Sequence, residues 1–450
     1  MTKDILKKYK FKLFVKKNSK YLIGILLLLV GWLVGIYFSY SRFSVKQETE
    51  VVRTVVGDFI SGDVVLAYSI DGVKESDAFP KQNAGYEGVS VTCDNEASAE
   101  WDNTIWSIKM TNSGNGKRVK CNVEFKSQET KNISGINFKL NTFSPDFSKS
   151  ACSTCESTES GVFAAEDDYG TSYYYRGSVE DNYVSFANKT WRIVRINGDG
   201  SVRIILNDVI SDKSAFNDFT IKDNAYVGYM YGTINASSYD ATHNNSNNSD
   251  IKKSIDAWYE NNLKSTYTSY LADSGFCGDR SVLQHKLAYG YAQKINNYAG
   301  YARVIANLPS IKCILTNDLY TTSTSSIGNK ALKYPIATIT VDEIIMAGSS
   351  GGVFDGGWNY TKESYNYLYN SKLDDGDNPE DNRLWTMTPC GAYSIYGSSN
   401  YGILNFSVTA SGKIDDNYVS TQYYIRPVVN LRSDAIKSGN GEVNTPYKVM

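Results

Sequence analysis

The sequence predicts an α+β protein in which a small all-β unit and a larger mixed unit follow a membrane-spanning helix. Three observations predict it. Residues Tyr21–Tyr40 carry no charged side chain and are dominated by Leu, Ile, Val and Gly. The stretch from Val89 to Phe125 alternates apolar and polar residues with period two, and after residue 160 strand-like runs are interleaved with capped helical stripes. The 450 residues leave room for more than one core. The expected organisation is a basic cytoplasmic tail (1–20), an anchor (21–40), a small β-sandwich (51–141), a linker (142–160) and an α+β domain (161–450).

The anchor follows from length and charge. At ~1.5 Å rise per residue the Tyr21–Tyr40 run spans roughly 30 Å, one bilayer core. Eight lysines and one aspartate lie within residues 1–20, and only Arg42 and Lys46 follow the span closely. The positive-inside rule therefore puts the N-terminus in the cytoplasm and the rest of the chain outside, as a single-pass cell-membrane protein. A cleavable signal peptide is the rival reading; the apolar run is long for one, and no small-x-small site follows it. Gly31 and Gly35 form a GxxxG that can pair two copies as a homodimer, although Gly is common in membrane helices in any case. With the basic tail set aside, a net charge of −2 leaves an acidic main body, which argues against nucleic-acid binding.

In the β unit, Val89, Val91 and Cys93 share one face, as do Trp106, Ile108 and Met110, and then Val119, Cys121, Val123 and Phe125. Val51–Ser69 adds one or two strands. All seven cysteines follow the anchor, so an oxidising compartment favours disulfides. A Cys93–Cys121 bridge would staple a sandwich of immunoglobulin-like kind. Cys152 and Cys155 form a CxxC in a Ser/Thr/Glu-rich linker with no thioredoxin-like pattern around it, so a local disulfide or pairing with other cysteines is expected there. Cys277–Cys313 is the expected third bridge, which leaves Cys390 over.

The α+β unit opens with Asp168–Gly177 and a three-stranded meander: Tyr183–Phe186, a tight turn at Asn188-Lys189, Thr190–Ile196, and Ser201–Leu206. The Asn197–Gly200 loop resembles a phosphate cradle, but no helix follows it. Ser249 caps a helix whose stripe is Ile251, Ile255, Trp258, Tyr259 and Leu263. A second helix is expected over Val282–Ile295, a strand over Tyr334–Ile339, a capping-box helix from Thr340 through Ala347, and another helix over Glu363–Tyr369. Strands are expected at Leu384–Pro389, Ile403–Val408 and Tyr424–Leu431, with loops at Gly391–Gly402 and Asp415–Tyr423.

Those loops supply the candidate binding surface. From Gly391 to Tyr424 there are six Tyr, six Ser, four Gly and three Asn, a palette suited to adaptable recognition. Tyr393, Tyr396, Asn400, Tyr401, Tyr418 and Tyr423 are the candidate ligand-binding residues, with plain packing as the alternative. Asp374, Asp375, Asp377 and Glu380 can hold a hard cation such as Ca²⁺ through oxygen ligands, although the spacing is not that of an EF-hand and a solvated acidic turn is the alternative. His243 and His285 lie in no catalytic or metal-ligand pattern. Arg426, in an apolar strand, requires a carboxylate or carbonyl partner if buried.

The runs Asp168–Gly177, Tyr183–Leu206, Cys277–Arg280, Ile339–Glu343 with Ala347-Gly348, Trp385–Pro389 and Ile425–Leu431 resemble a family of uncharacterised membrane-anchored surface proteins of Gram-positive gut bacteria. Its C-terminal module is similar to the C-type-lectin-like fold that formylglycine-generating enzymes share with variable lectin domains. The resemblance implies that the domain's opening and closing strands come together and that the loops between them are exposed on one face. Catalysis does not carry over, because those enzymes need a close pair of cysteines where Cys390 stands alone. The Glu-Pro-Asn motif of sugar-binding lectins is missing too, Asn378-Pro379-Glu380 being its reverse. The expected function is extracellular binding or adhesion to a glycan or protein. The alternatives are an enzyme acting on surface glycan or protein, with acidic residues such as Asp342, Glu343 or Asp377 converging in a cleft, and an envelope protein without a ligand.

Overall fold

The structure is a computed structural model, and it describes residues 64–70, 72–75, 79–82, 85–103, 105–112, 118–127, 129–141, 144–151, 160–210, 212–218, 222–282, 298–350, 366–369, 382–394 and 401–450. The expected cytoplasmic tail, the Tyr21–Tyr40 anchor with Gly31 and Gly35, and the Cys152/Cys155 pair lie outside these residues. Among the described residues no helix is long and apolar enough to cross a membrane. The chain divides into two compact units, Met1–Ser127 and Gln128–Met450.

The first unit is all β. A sheet runs in the order Val73–Glu75, Val64–Ile70, Val119–Ser127, Tyr86–Cys93, and a separate hairpin pairs Ser98–Asp102 with Ser107–Asn112. The period-two reading of the sequence is realised in Val119, Cys121, Val123 and Phe125, all of which are fully buried on one face. Ile108, Met110 and Ala99 from the hairpin share a core cluster with Val119, Cys121 and Leu66 from the sheet. Trp101 and Trp106 meet Phe125 edge-on or tilted, with ring centroids 5.3 and 5.4 Å away. Gly88 makes room for this packing: a Cβ there would sit 2.1 Å from the Trp101 ring. The 107–112 strand does not pair with 119–127, as a hairpin through Asn112–Gly116 would require; its partner is 98–102, a strand the sequence reading missed.

Cys93 and Cys121 are bonded, as expected, but they are register partners on adjacent antiparallel strands, with Cα atoms 4.0 Å apart. The bridge therefore laces one sheet along its own ladder and does not join two sheets. Removing it frees the 86–125 segment in the unfolded chain, so Cys93→Ala/Cys121→Ala should cost about 2–5 kcal/mol. Hydrogen exchange across residues 86–125 reads the loss directly, and unchanged protection there would show that apolar packing alone holds the sheet.

The second unit is mixed. Its main sheet runs Ile336–Ala337, Val428–Leu431, Val202–Leu206, Lys189–Ile196, Gly170–Arg176, Gly161–Asp167, Ile136–Leu140, Glu129–Ile133. The hairpin 129–140, assigned by sequence to the first unit, thus belongs to this sheet, joined through Leu140 opposite Val162. Tyr183–Phe186 forms the expected meander with Lys189–Ile196. The turn is Ala187-Asn188, one residue earlier than expected, and both residues take φ near +53°, as a two-residue hairpin requires. Tyr447–Val449 pairs in parallel with Tyr183–Phe186, so opening and closing strands share one sheet.

Among the described residues four α-helices pack on this frame: α1 (Tyr239–His243), α2 (Asp250–Asn262), α3 (Ala299–Ala306) and α4 (Val341–Ala347). α2 begins where Ser249 accepts a hydrogen bond from the Lys252 amide and buries the expected Ile251, Ile255 and Tyr259. α3 was not foreseen. The helix expected over Val282–Ile295 and that over Glu363–Tyr369 lie mostly outside the described residues. A three-stranded sheet, Arg383–Ser394, Tyr401–Thr409 and Ile414–Tyr418, completes the unit. Its last strand occupies part of the stretch expected as a loop over Asp415–Tyr423, and Arg383–Ser394 runs into the Gly391–Gly402 stretch. Cys277 and Cys313 are bonded.

Candidate functional site

Two concave sites among the described residues of the second unit are of opposite character. The first is an enclosed polar cavity of about 10 Å³, room for one water-sized sphere. It is bounded by a buried charge network. Glu343 Oε1 accepts from Arg195 Nε at 3.1 Å and from Arg203 Nη1 at 2.7 Å, and Arg195 Nη1 reaches Asp167 at 2.6 Å. Beside it Arg303 grips Asp342 through two bonds of 2.7 and 2.9 Å and Asp279 through one of 2.6 Å. Burial works against the Glu343 charge, but Arg203 and Arg195 outweigh it and hold the carboxyl at about 2. Asp168 differs: its carboxylate accepts the Cys313 amide at 3.0 and 3.1 Å, and partial burial raises its pKa.

The enzyme alternative expected Asp342 and Glu343 in a cleft. They do line one cavity, where Glu343 is paired with Arg195 and Arg203, Asp342 with Arg303, and the free space is water-sized. Asp377 lies outside the described residues.

The second site is an open groove of about 510 Å³ along α2, in the size range of small-ligand sites. Trp258, Asn261 and Asn262 come from the helix; Asp212, Lys213 and Asp218 from the segment before it; Gln422 from the chain after the three-stranded sheet. Helical spacing explains the first set: Ile255 and Tyr259 turn into the core, while Ala257 and Asn261 turn outward and Trp258 stands at the boundary. The Trp258 indole packs edge-to-face on Trp191 at 6.1 Å and carries Lys189 Nζ 5.8 Å from its centroid. Asp250 is engaged, accepting the Asp218 amide at 2.7 Å and pairing with Lys253 at 2.8 Å. Asn261, Gln422, Asp212 and Asp218 are exposed along the groove.

The expected tyrosine surface is only partly visible. Tyr418 is 41 % exposed at the end of its strand. Tyr423 is core: it packs on Trp385 at 5.0 Å, and its hydroxyl donates to Asn417 at 2.8 Å. It is therefore withdrawn from the ligand-binding set, since its ring and its hydroxyl are both used inside the fold. Tyr393 and Tyr401 lie on paired strands at the two sides of one hairpin; Tyr396 and Asn400, and the carboxylates Asp374, Asp375, Asp377 and Glu380, lie outside the described residues. Among the described residues no cluster of three or more His, Cys, Asp or Glu is placed to hold a metal ion. His243 is buried; burial first and then Arg280 depress its pKa to about 3. Cys390 is a buried thiol 3.6 Å from the Asp416 carboxylate.

Sequence reasoning missed the groove because Trp258 fits the apolar stripe of α2; the adjacent Asn261-Asn262 pair was the available signal. It also missed the network, although arginines set among apolar residues in Lys189–Ile196 and Val202–Leu206 carry the same implication drawn for Arg426. No family model, curated protein or solved structure matches the chain.

Replacing Glu343 by Gln removes the carboxylate paired with Arg203 and one of the two paired with Arg195, and should cost about 3–5 kcal/mol in urea unfolding. The sign with pH follows from its depressed pKa. The stability carried by Glu343 is complete above its unfolded value of 4.5 and is lost as pH falls from there through about 2. A wild-type stability curve flat over that range, or one unaffected by Glu343→Gln, would contradict the assignment.

Proposed function

We propose that the chain is a single-pass, membrane-anchored extracellular binding or adhesion protein whose second unit recognises a glycan or protein ligand. The observation that carries this is the 510 Å³ groove beside α2, where an indole is flanked by exposed amide and carboxylate side chains. That chemistry favours the glycan. A sugar ring offers an apolar face to an aromatic and a rim of hydroxyls that amides and carboxylates bond from both sides.

Among the described residues two disulfides, formed by four of the chain's seven cysteines, agree with an oxidising exterior. The Tyr21–Tyr40 run supplies the anchor and Gly31 with Gly35 a route to a homodimer. We read the second unit as C-type-lectin-like, a reading supported by the sharing of one sheet between its opening and closing strands. The first unit is read as a small immunoglobulin-like spacer. Calcium at Asp374, Asp375, Asp377 and Glu380 is an optional part of the same proposal.

The test is an array of glycans and host proteins probed with the full chain, with and without Ca²⁺. At least one glycan should bind saturably. Asn261→Ala/Gln422→Ala should then weaken that ligand about tenfold, roughly 1.4 kcal/mol, while unfolding stability moves by no more than about 0.5 kcal/mol, since both side chains are on the surface. Absence of any saturable ligand would refute the binding function; a ligand indifferent to both substitutions would move it away from the groove.

A further inference from the structure

Arg426 is 1 % exposed, and among the described residues no carboxylate forms an ion pair with it, Asp208 acting on it only through space. Its Nε donates to the Leu206 carbonyl at 2.8 Å and its Nη1 to the Leu368 carbonyl at 2.7 Å; Nη2 has no partner among the described residues. Arg192, 5 % exposed, is treated alike: Nε donates to the Asn182 amide oxygen at 2.6 Å and Nη2 to the Val179 carbonyl at 2.7 Å. Neutral oxygens meet the donors of each guanidinium, and the carboxylates that act on them do so only through space, Asp181 and Glu180 on Arg192 and Asp208 on Arg426, so neither charge has a direct ionic partner among the described residues. The contrast with Arg195, Arg203, Arg280 and Arg303 is sharp, since each of those pairs directly with a buried carboxylate.

The short segment 366–369 brings these groups together. The Tyr367 amide donates to the Gly177 carbonyl at 3.0 Å, and the next residue's carbonyl is the one that Arg426 grips. The Tyr367 ring then lies 5.5 Å from the Arg192 guanidinium. The hydroxyls of Tyr367 and Tyr175, both nine-tenths or more buried, are also without partners among the described residues. Orphaned donors gathered around two buried cations need an acceptor, and the acceptor that lowers the energy most is negatively charged. Burial first, and Arg192 second, hold the Arg426 pKa down at about 10, the direction expected of a cation lacking its counter-ion. Arg426 and Leu368 also border an enclosed cavity of about 10 Å³, room for a single small particle.

We propose that a small monovalent anion of halide size binds in the interior of the second unit, held by Arg426 Nη2 and the Tyr367 hydroxyl and facing the charge of Arg192. The site is separate from the groove and independent of what the groove binds. Its occupant supplies a direct ionic partner at the junction of the Lys189–Ile196 strand, segment 366–369 and Arg426, where the described carboxylates act only through space.

The test is thermal unfolding of the purified full chain at fixed pH and ionic strength, in sodium chloride, bromide or gluconate, gluconate being too large to enter. The halides should raise Tm by about 2–4 °C with saturation. Tyr367→Phe, which keeps the ring, should shrink that difference, and Arg426→Gln should abolish it. If Arg426→Gln does not fold, the Tyr367→Phe comparison and bromide-soaked crystals decide, an anomalous peak in contact with Arg426 Nη2 being the expected result. Equal Tm in halide and gluconate, a halide effect of the same size in Tyr367→Phe, or crystals showing water alone at Arg426 would each overturn the proposal.

Discussion

The second unit depends on what one carboxylate, Glu343, does with its two oxygens. Oε2 accepts the Thr340 amide at 3.1 Å and closes the capping box that starts α4. Oε1 accepts from Arg195 and Arg203, one on each of two adjacent strands of the main sheet. A local helix signal and a long-range ion pair are thus the same side chain. The start of the helix is locked further by Val341 N donating to Thr388 in the three-stranded sheet at 3.0 Å, and its end by Gly348, at φ +136°, where a Cβ would press on the Ala151 carbonyl. Buried ion pairs of this kind contribute less net stability than their geometry suggests, because desolvation offsets much of the attraction. Their consequence is that one register and one helix position satisfy all the charges together.

The two units solve the same burial problem with different chemistry. The first relies on alternating apolar side chains, an aromatic cluster around Phe125 and a disulfide along one ladder. The second threads arginine through the interior of its sheet and compensates most of those charges in place. Where compensation is by carboxylate, as at Arg195, Arg203, Arg280 and Arg303, the charge is closed inside the fold. Where the bonds are to neutral oxygens, as at Arg192 and Arg426, carboxylates act on the charge only through space. The groove beside α2 is open in another sense, since its polar side chains face solvent and are available to a ligand.

Much of the local architecture was legible in the sequence. The period-two face of Val119–Phe125, the Ser249 cap, the Thr340–Glu343 box, the meander around Ala187-Asn188 and both cysteine pairs among the described residues depend on spacings of a few residues or on the rarity of one residue type. Registers and partners were less legible. The strand Ser98–Asp102 was overlooked although Ser-Ala-Glu-Trp-Asp alternates polar and apolar, because it is only five residues long and one of its two apolar positions is an alanine; the hairpin 129–140 was credited to the first unit because nothing local marks its partner as Gly161–Asp167. Of the candidate site, Tyr418 was read as exposed and is exposed. Tyr423 was read as a candidate for display and is buried, while Trp258, read on the apolar stripe, does pack on the core and also borders the groove, since an aromatic at the edge of an amphipathic element has the same spacing whether it packs or displays.

The sequence by itself determined the periodic faces, the caps, the charge-free run near the N-terminus and the requirement that Arg426 find oxygen partners, because each is set by covalent geometry or by the cost of burying a charge. Only the tertiary structure decided that those partners are the carbonyls of Leu206 and Leu368, that Arg195 and Arg203 converge on one glutamate, and that Trp258 borders a groove with Gln422. These contacts join residues from about 60 to more than 200 positions apart, as in Arg426 with Leu206. At such separations neither spacing nor propensity carries information, and the pairing is settled by which packing leaves the fewest buried charges and donors unmet.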